Sequence, residues 1–196
     1  MGTVAENTVL DAAKRCCEKW GLGKVTVDDI AADAGVSRAT LYRLFPGGKD
    51  VLFDALRVRD TEEFLTRLRT HVDDAVGFED LLVRCVVQAT IELRADDHLA
   101  LMLASEPGET ANELTVSGLP RIIRLATVFL VPLVEAYLPR RDAARLVELL
   151  SRLVLSYFLA PSEHVDLGEP ASAQTFIATF ILPAFTVPNH PASLRS

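Results

Sequence analysis

Arg38, Thr40, Tyr42 and Arg43 fall within six residues of one another and form the group in this sequence best suited to bind a polyanion. An arginine at the head of a helix reaches a guanine edge through two parallel hydrogen bonds, or a single phosphate. Thr40 offers a hydroxyl and a methyl for base or backbone contact, and Arg43 is placed to bind a phosphate or read a base. Leu41 and Phe45 are four residues apart and predict the inward face of a helix over residues 37–45. Arg38, Ala39, Thr40, Tyr42 and Arg43 are left largely outward, with no acidic residue among them. The chemistry implied is non-covalent readout of duplex DNA in its major groove. Ordinary solvated charges on a small helical domain are the competing account.

Little else in the sequence is arranged for chemistry. His71, His98, His164 and His190 are scattered, and neither they nor the three cysteines show metal-ligand spacing. Glu62-Glu63 and Asp96-Asp97 are adjacent carboxylates that point to different sides of a helix. No glycine-rich phosphate loop or nucleophile elbow occurs. The expectation is a protein that is not an enzyme and needs no cofactor or metal.

Two elements must position the outward side chains. Thr26 reads as an N-cap with Asp29 three residues on, a capping-box relation, and Asp28 and Asp29 suit the positive end of the helix dipole. Ile30 and Ala31 face inward, and Ala34-Gly35 ends this helix with the left-handed backbone that glycine allows. Ser37 caps the next. Two short helices joined by a glycine turn form a helix-turn-helix.

The run Thr26-Val27-Asp28-Asp29-Ile30-Ala31, then Ala34-Gly35-Val36-Ser37, Thr40-Leu41-Tyr42, Phe45 and Lys49-Asp50-x-Leu52, resembles the DNA-binding region of TetR-like bacterial transcription regulators. Recognisable motif covers about 47 residues from Ala5. The sequence departs from the pattern at Pro46-Gly47-Gly48, one residue longer than the commonest linker, and at Leu44, where an aromatic or histidine is frequent. The resemblance implies that Tyr42 donates its hydroxyl to a phosphate, and that Thr26 and Lys49 add backbone contacts. It also implies repression rather than activation, a homodimer on a palindromic operator, and an unknown small-molecule effector bound among the central helices. The DNA-binding set is then Thr26, Ser37, Arg38, Ala39, Thr40, Tyr42, Arg43 and Lys49.

The net charge of -7 over 196 residues, taken as a whole, opposes DNA binding. Its distribution does not. Residues 1–59 hold 9 basic and 8 acidic side chains, including all four lysines, whereas residues 60–196 hold 11 and 19. The three cysteines, two of them the neighbours Cys16 and Cys17, give no disulfide framework, and no signal peptide or membrane-length apolar run is evident. A cytoplasmic protein is expected.

Helical periodicity runs throughout and predicts an all-α chain. A three-helix DNA-binding domain is expected over 1–48, and a larger helical effector-binding and dimerisation domain over 49–196, entered by a long helix from Lys49. Later helices are expected at 78–95, 98–104, 116–138, 141–159 and 171–185. The last two carry more apolar surface than one core contact needs, and residues 170–194 contain no Asp, Glu, Lys or Arg. Leu146, Leu149, Leu153, Tyr157, Phe176, Ile177, Phe180 and Ile181 are the expected dimer contacts. A large monomeric core, or docking of a different protein, would use the same surface. By analogy, a ligand pocket would be lined by Phe64, Leu68, Cys85, Met102, Leu103, Phe129 and Leu133, each of which core packing explains more commonly. Arg84, Gln88 and Glu92 form a polar stripe that is either solvated or, on a central helix, able to orient a polar ligand group through Arg84 and Gln88.

Overall fold

The computed structural model describes residues 3–185, and among these there is no strand. Among the described residues eleven α-helices run in the order α1 (Val4–Trp20), α2 (Val27–Asp33), α3 (Arg38–Leu44), α4 (Lys49–Val72), α5 (Phe78–Ala95), α6 (Asp97–Ser105), α7 (Pro107–Asn112), α8 (Leu119–Val134), α9 (Arg140–Leu159), α10 (Pro170–Phe176) and α11 (Leu182–Phe185). π-helical turns at Glu113–Ser117 and Ile177–Ile181 precede α8 and α11. The described chain divides into two compact units. One contains the residues up to Glu63 with Asp97–Thr110, and the other Phe64–Asp96 with the residues from Ala111.

The first unit is built on short elements with strong local signals. Thr3 caps α1 in a reciprocal box with Glu6, and Thr26 caps α2 in the same way with Asp29. Its core joins Val9, Ala13 and Cys16 of α1 to Val25, Ile30, Leu41 and Phe45, and to Leu52, Phe53 and Leu56 of α4. The first half of α4 therefore packs as part of this unit, and the division falls at residues 63/64 rather than 48/49. Arg15 binds Asp33 (Nη2 to Oδ2 2.6 Å) and Arg59 binds Asp11 (2.7 Å), tying α2 and α4 to α1. The segment containing α6 and α7 is folded with this unit too. Glu106 accepts from the Gly23 amide (3.2 Å), while its other carboxylate oxygen is buried without a partner.

The second unit packs α5, α8, α9, α10 and the last half of α4 around Leu68, Leu82, Val86, Val131, Leu146 and Ile177. Its longer helices α5, α8 and α9 start without side-chain caps. Two boundaries differ from those the periodicity predicts. The helix expected over 116–138 is a π turn followed by α8, and the helix expected over 171–185 is interrupted at Ile177–Ile181. A π turn carries an extra residue, so a regular helical repeat does not continue through it. Pro132 lies inside α8 and withholds an amide from the Val128 carbonyl.

Candidate nucleic-acid interface

α3 is seven residues long, too short to hold its shape without help from caps and packing. Ser37 Oγ accepts the Thr40 amide (3.1 Å) and shares a hydrogen bond with Thr40 Oγ1 (2.9 Å). Behind this cap, Leu41 is wholly buried and Phe45 nearly so, which fixes the helix against α1 and α2. The opposite face presents Arg38, Ala39, Tyr42 and Arg43 to solvent, with Thr40 half-buried at its edge. Gly35 turns the chain between α2 and α3 at φ +67°, which an L side chain reaches only with strain.

At the head of α2, Thr26 Oγ1 donates to Asp29 Oδ2 (2.6 Å) and accepts the Asp29 amide (3.2 Å), while the Thr26 amide donates to the same carboxylate (3.0 Å). These bonds from Thr26 hold the Asp29 carboxyl below its ordinary value. Thr26 itself is exposed.

Tyr42 is seated from two sides. The Arg38 guanidinium lies over its ring, 5.6 Å from the centroid. On the other, a Cβ placed on Gly48 would come within 3.1 Å of Tyr42 Cε1, and Gly47 and Gly48 both have positive φ. The lengthened Pro46-Gly47-Gly48 linker thus lets backbone close against the tyrosine ring where a side chain would push it away. Arg38 Nη1 also donates to both oxygens of Asp28 (3.2 and 3.1 Å). Tyr42, and after it Asp28, holds the Arg38 guanidinium above its ordinary pKa.

Lys49, expected on a phosphate, is used inside the unit. Its ammonium donates to the Leu22 carbonyl (2.8 Å) and lies 5.7 Å from the Phe53 ring centroid, joining α4 to the turn after α1. Lys14, Arg15, Arg38, Arg57 and Arg59 each pair with a carboxylate in the same unit. Arg43 is exposed and has no ion pair among the described residues, and the same holds for Lys24 just before α2. Lys19, exposed at the end of α1, likewise has no ion pair among the described residues, its ammonium lying 4.7 Å from the Trp20 ring centroid. Their distinguishing property is the lack of a carboxylate neighbour, which only the fold reveals. Asp28 likewise reads in sequence as a first-turn carboxylate, with no local sign that Arg38 is its partner.

The expected ligand residues are dispersed. Leu68 is buried in the second core, with Phe64, Cys85, Phe129 and Leu133 packed against it, whereas Met102 and Leu103 are on α6 of the first unit. Burial alone pushes the Cys85 thiol up to about 12. Arg84 is held by Asp80 (3.0 Å) and Asp74 (2.7 Å), and Gln88 donates to Glu92 (3.2 Å), which also receives Arg67 (3.1 Å). A recess of about 280 Å³ opens elsewhere in the second unit, lined by Leu114, Thr115, Leu119, Arg152, Leu155, Ser156, Leu159 and Ala160. It includes none of the expected set.

Among the expected dimer contacts, Leu146, Ile177 and Ile181 are corrected. They are at most 4% exposed and fill the core of their own protomer, leaving no surface for a partner. Leu149 (37%) and Phe180 (65%) do reach solvent. Leu153, Tyr157 and Phe176 are half-buried, with the Phe176 ring edge-on to Tyr157 (centroids 5.8 Å apart) and tilted against Phe180 (5.4 Å).

Residues 9–56 match the family model for bacterial regulatory proteins of the tetR family. An uncharacterized HTH-type transcriptional regulator of Mycobacterium tuberculosis is 32% identical over 98 residues, 50% of this chain and 49% of that protein. The chain thus spans about half the length of the curated relatives it matches. Among solved structures, the TetR family repressor AlkX from a Dietzia strain, implicated in biodegradation of n-alkanes, aligns over 92% of this chain and 96% of its own (TM-score 0.69, 24% identity). The transcriptional regulator FadR from Bacillus subtilis, in complex with stearoyl-CoA, aligns over 88% and 97% (TM-score 0.54, 16% identity). The N-terminal segment carries the TetR-family sequence, the described chain has the fold of these neighbours, and the matches are to transcriptional regulators.

Proposed function

We propose that this TetR-type chain is a ligand-responsive repressor that binds a palindromic operator as a homodimer. The observation carrying the reading is the division of α3 into two faces. Leu41 and Phe45 are consumed in the core, so Arg38, Ala39, Thr40, Tyr42 and Arg43 are presented together on a capped, rigid helix. Arg38 and Thr40 address bases. Tyr42, Arg43 and Lys24 hold phosphates, with Thr26 and Ser37 setting the helix starts. Ala39 lets the helix lie close to the groove.

Leu149, Leu153, Tyr157, Phe176 and Phe180 are the contacts for the second copy. An exposed phenylalanine in a three-ring cluster, and an exposed leucine on α9, are apolar surface that water does not favour. Two-fold pairing would set the recognition helices one helical turn of DNA apart, about 34–36 Å.

The effector is taken to be a small molecule with a substantial apolar part. Phe64, Cys85, Phe129 and Leu133 border the second core without being wholly buried, and the FadR neighbour was crystallised with stearoyl-CoA. Leu68, Arg84, Gln88, Met102 and Leu103 complete the candidate set.

Selection of duplexes from a randomised pool tests the DNA reading. A palindrome whose half-sites are about 10 base pairs apart, with binding that weakens steeply as salt rises, is the expected result. Equal retention of all duplexes, or none, would refute it. For the effector, a thermal-shift series of fatty acids and acyl-CoA thioesters should raise Tm for at least one chain length. A flat series would exclude this ligand class.

A further inference from the structure

We propose that Asp28 is a specificity-determining residue: by engaging one amino group of Arg38, it aims the remaining edge of the guanidinium at a single guanine in each half-site. This rests on the DNA-binding reading above. Asp28 and Arg38 stand on different helices, ten residues apart in sequence, and both Asp28 oxygens contact the same atom, Arg38 Nη1, at 3.2 and 3.1 Å. The Nε and Nη2 edge is not engaged by Asp28. Two parallel N–H donors on one edge of an arginine match the O6 and N7 acceptors of guanine. The Tyr42 ring, its centroid 5.6 Å from the guanidinium carbon, limits the arginine's swing on that side.

The pair has little reason to exist for stability. The side chains are 64% and 60% exposed, and exposed ion pairs contribute little to folding. A carboxylate on a DNA-facing surface also repels phosphate, which makes Asp28 costly to non-specific affinity. It becomes useful when its arginine is directed at a base: a guanidinium held on one side by a carboxylate cannot swing to the nearest phosphate without abandoning that partner. Misaligned readings are thereby penalised, which is specificity gained against the wrong partner. A rival account gives Asp28 only the favourable position of an acid in the first turn of α2. That role would affect melting and leave base preference alone.

The experiment compares the unmodified full chain with Asp28→Asn, Asp28→Glu and Arg38→Ala. Each is given the same randomised duplex pool, followed by titration against one recovered sequence and its single-base variants. Arg38→Ala should abolish preference at one position of each half-site. Asp28→Asn, which keeps the shape and removes the charge, should reduce preference at that same position by about tenfold, the scale of one bidentate base contact. Its affinity for unselected duplex should be equal or greater, its other positions unchanged, and its melting temperature within a degree or two. Asp28→Glu should recover part of the preference.

Asp28→Asn with native preference at every position would overturn the proposal, as would an even loss across all positions. A drop in melting temperature with base preference intact would assign Asp28 to the helix dipole instead. Should the unmodified chain recover no enriched sequence, the DNA-binding reading fails first and takes this proposal with it.

Discussion

The two units of this chain stabilise their helices by different means. In the first, α2 and α3 have seven residues each and begin at Thr26 and Ser37, whose side chains satisfy the free amides of the first turn. In the second, α5, α8 and α9 have 16 to 20 residues and begin after Gly77, Gly118 and Pro139, none of which supplies a side-chain cap. Length is one reason. A seven-residue helix recovers few backbone bonds against the cost of nucleation, so each unsatisfied amide weighs heavily. A long amphipathic helix draws its stability from the face it buries. α10 fits the rule from inside the second unit: it has seven residues, and Glu169 accepts from the Ala171 and Ser172 amides.

The largest effects should come from the cores, where the units are alike. Leu41→Ala and Leu146→Ala each remove a fully buried leucine and should cost about 2–5 kcal/mol in denaturant unfolding. They should separate in function: the first disrupts the mounting of α3 and with it DNA binding, while the second leaves the dimer mass unchanged. A monomer from Leu146→Ala at a temperature where it stays folded would restore that residue to the interface. Next in size, Phe180→Glu places a charge on the exposed ring position. It should weaken self-association by about 2 kcal/mol or more in sedimentation, with little change in protomer fold. An unaltered association constant would move the second copy elsewhere. Thr26→Ala should cost about 1 kcal/mol, because the Asp29 amide and the Asp29 carboxylate both lose the Thr26 hydroxyl.

The smallest difference is electrostatic. Asp29 in the first unit, bonded by Thr26, and Asp166 in the second, bonded by Arg94 and then by the Gly168 amide, both titrate below the ordinary value of 3.8. A carboxyl depressed in the folded state adds stability above its unfolded pKa and loses it as pH falls through the folded one. Both contributions are therefore complete near neutrality and disappear below about pH 4. For Asp166, half-exposed and screened, the loss should be at most about 0.5 kcal/mol. Acid titrations of Asp29→Asn and Asp166→Asn should each show a flatter stability profile than the parent below that pH, and an identical slope would discount the bonds.

What the sequence made legible follows the same division. Thr26, Gly35, Ser37, Leu41 and Phe45 act locally, so their spacing alone places the caps, the turn and the buried face of the helix-turn-helix. Apolar periodicity over 171–185 states that a helix is buried, but not which residues. The π turn at Ile177–Ile181 divides one expected face, sending Ile177 and Ile181 inward and Phe180 outward. Leu146 is apolar whether it serves a core or an interface, and nothing in its own type distinguishes the two. Lys49 is the opposite case: the partner it has here is the backbone carbonyl of Leu22, an acceptor every residue owns and no sequence displays.

The first unit is discontinuous, since Asp97–Thr110 folds with it. Glu106 from that segment receives the Gly23 amide, and Thr110 Oγ1 closes the corner by donating to the carbonyls of Met102 (3.1 Å) and Glu106 (2.9 Å). Exchange of heads between such regulators, by recombination in nature or by cloning, is usually imagined as the transfer of one contiguous cassette. In this chain a cassette ending at Glu63 would leave behind the carboxylate that its own Gly23 requires. A grafted head has to bring both passages, or find in its new host a residue that does what Glu106 does.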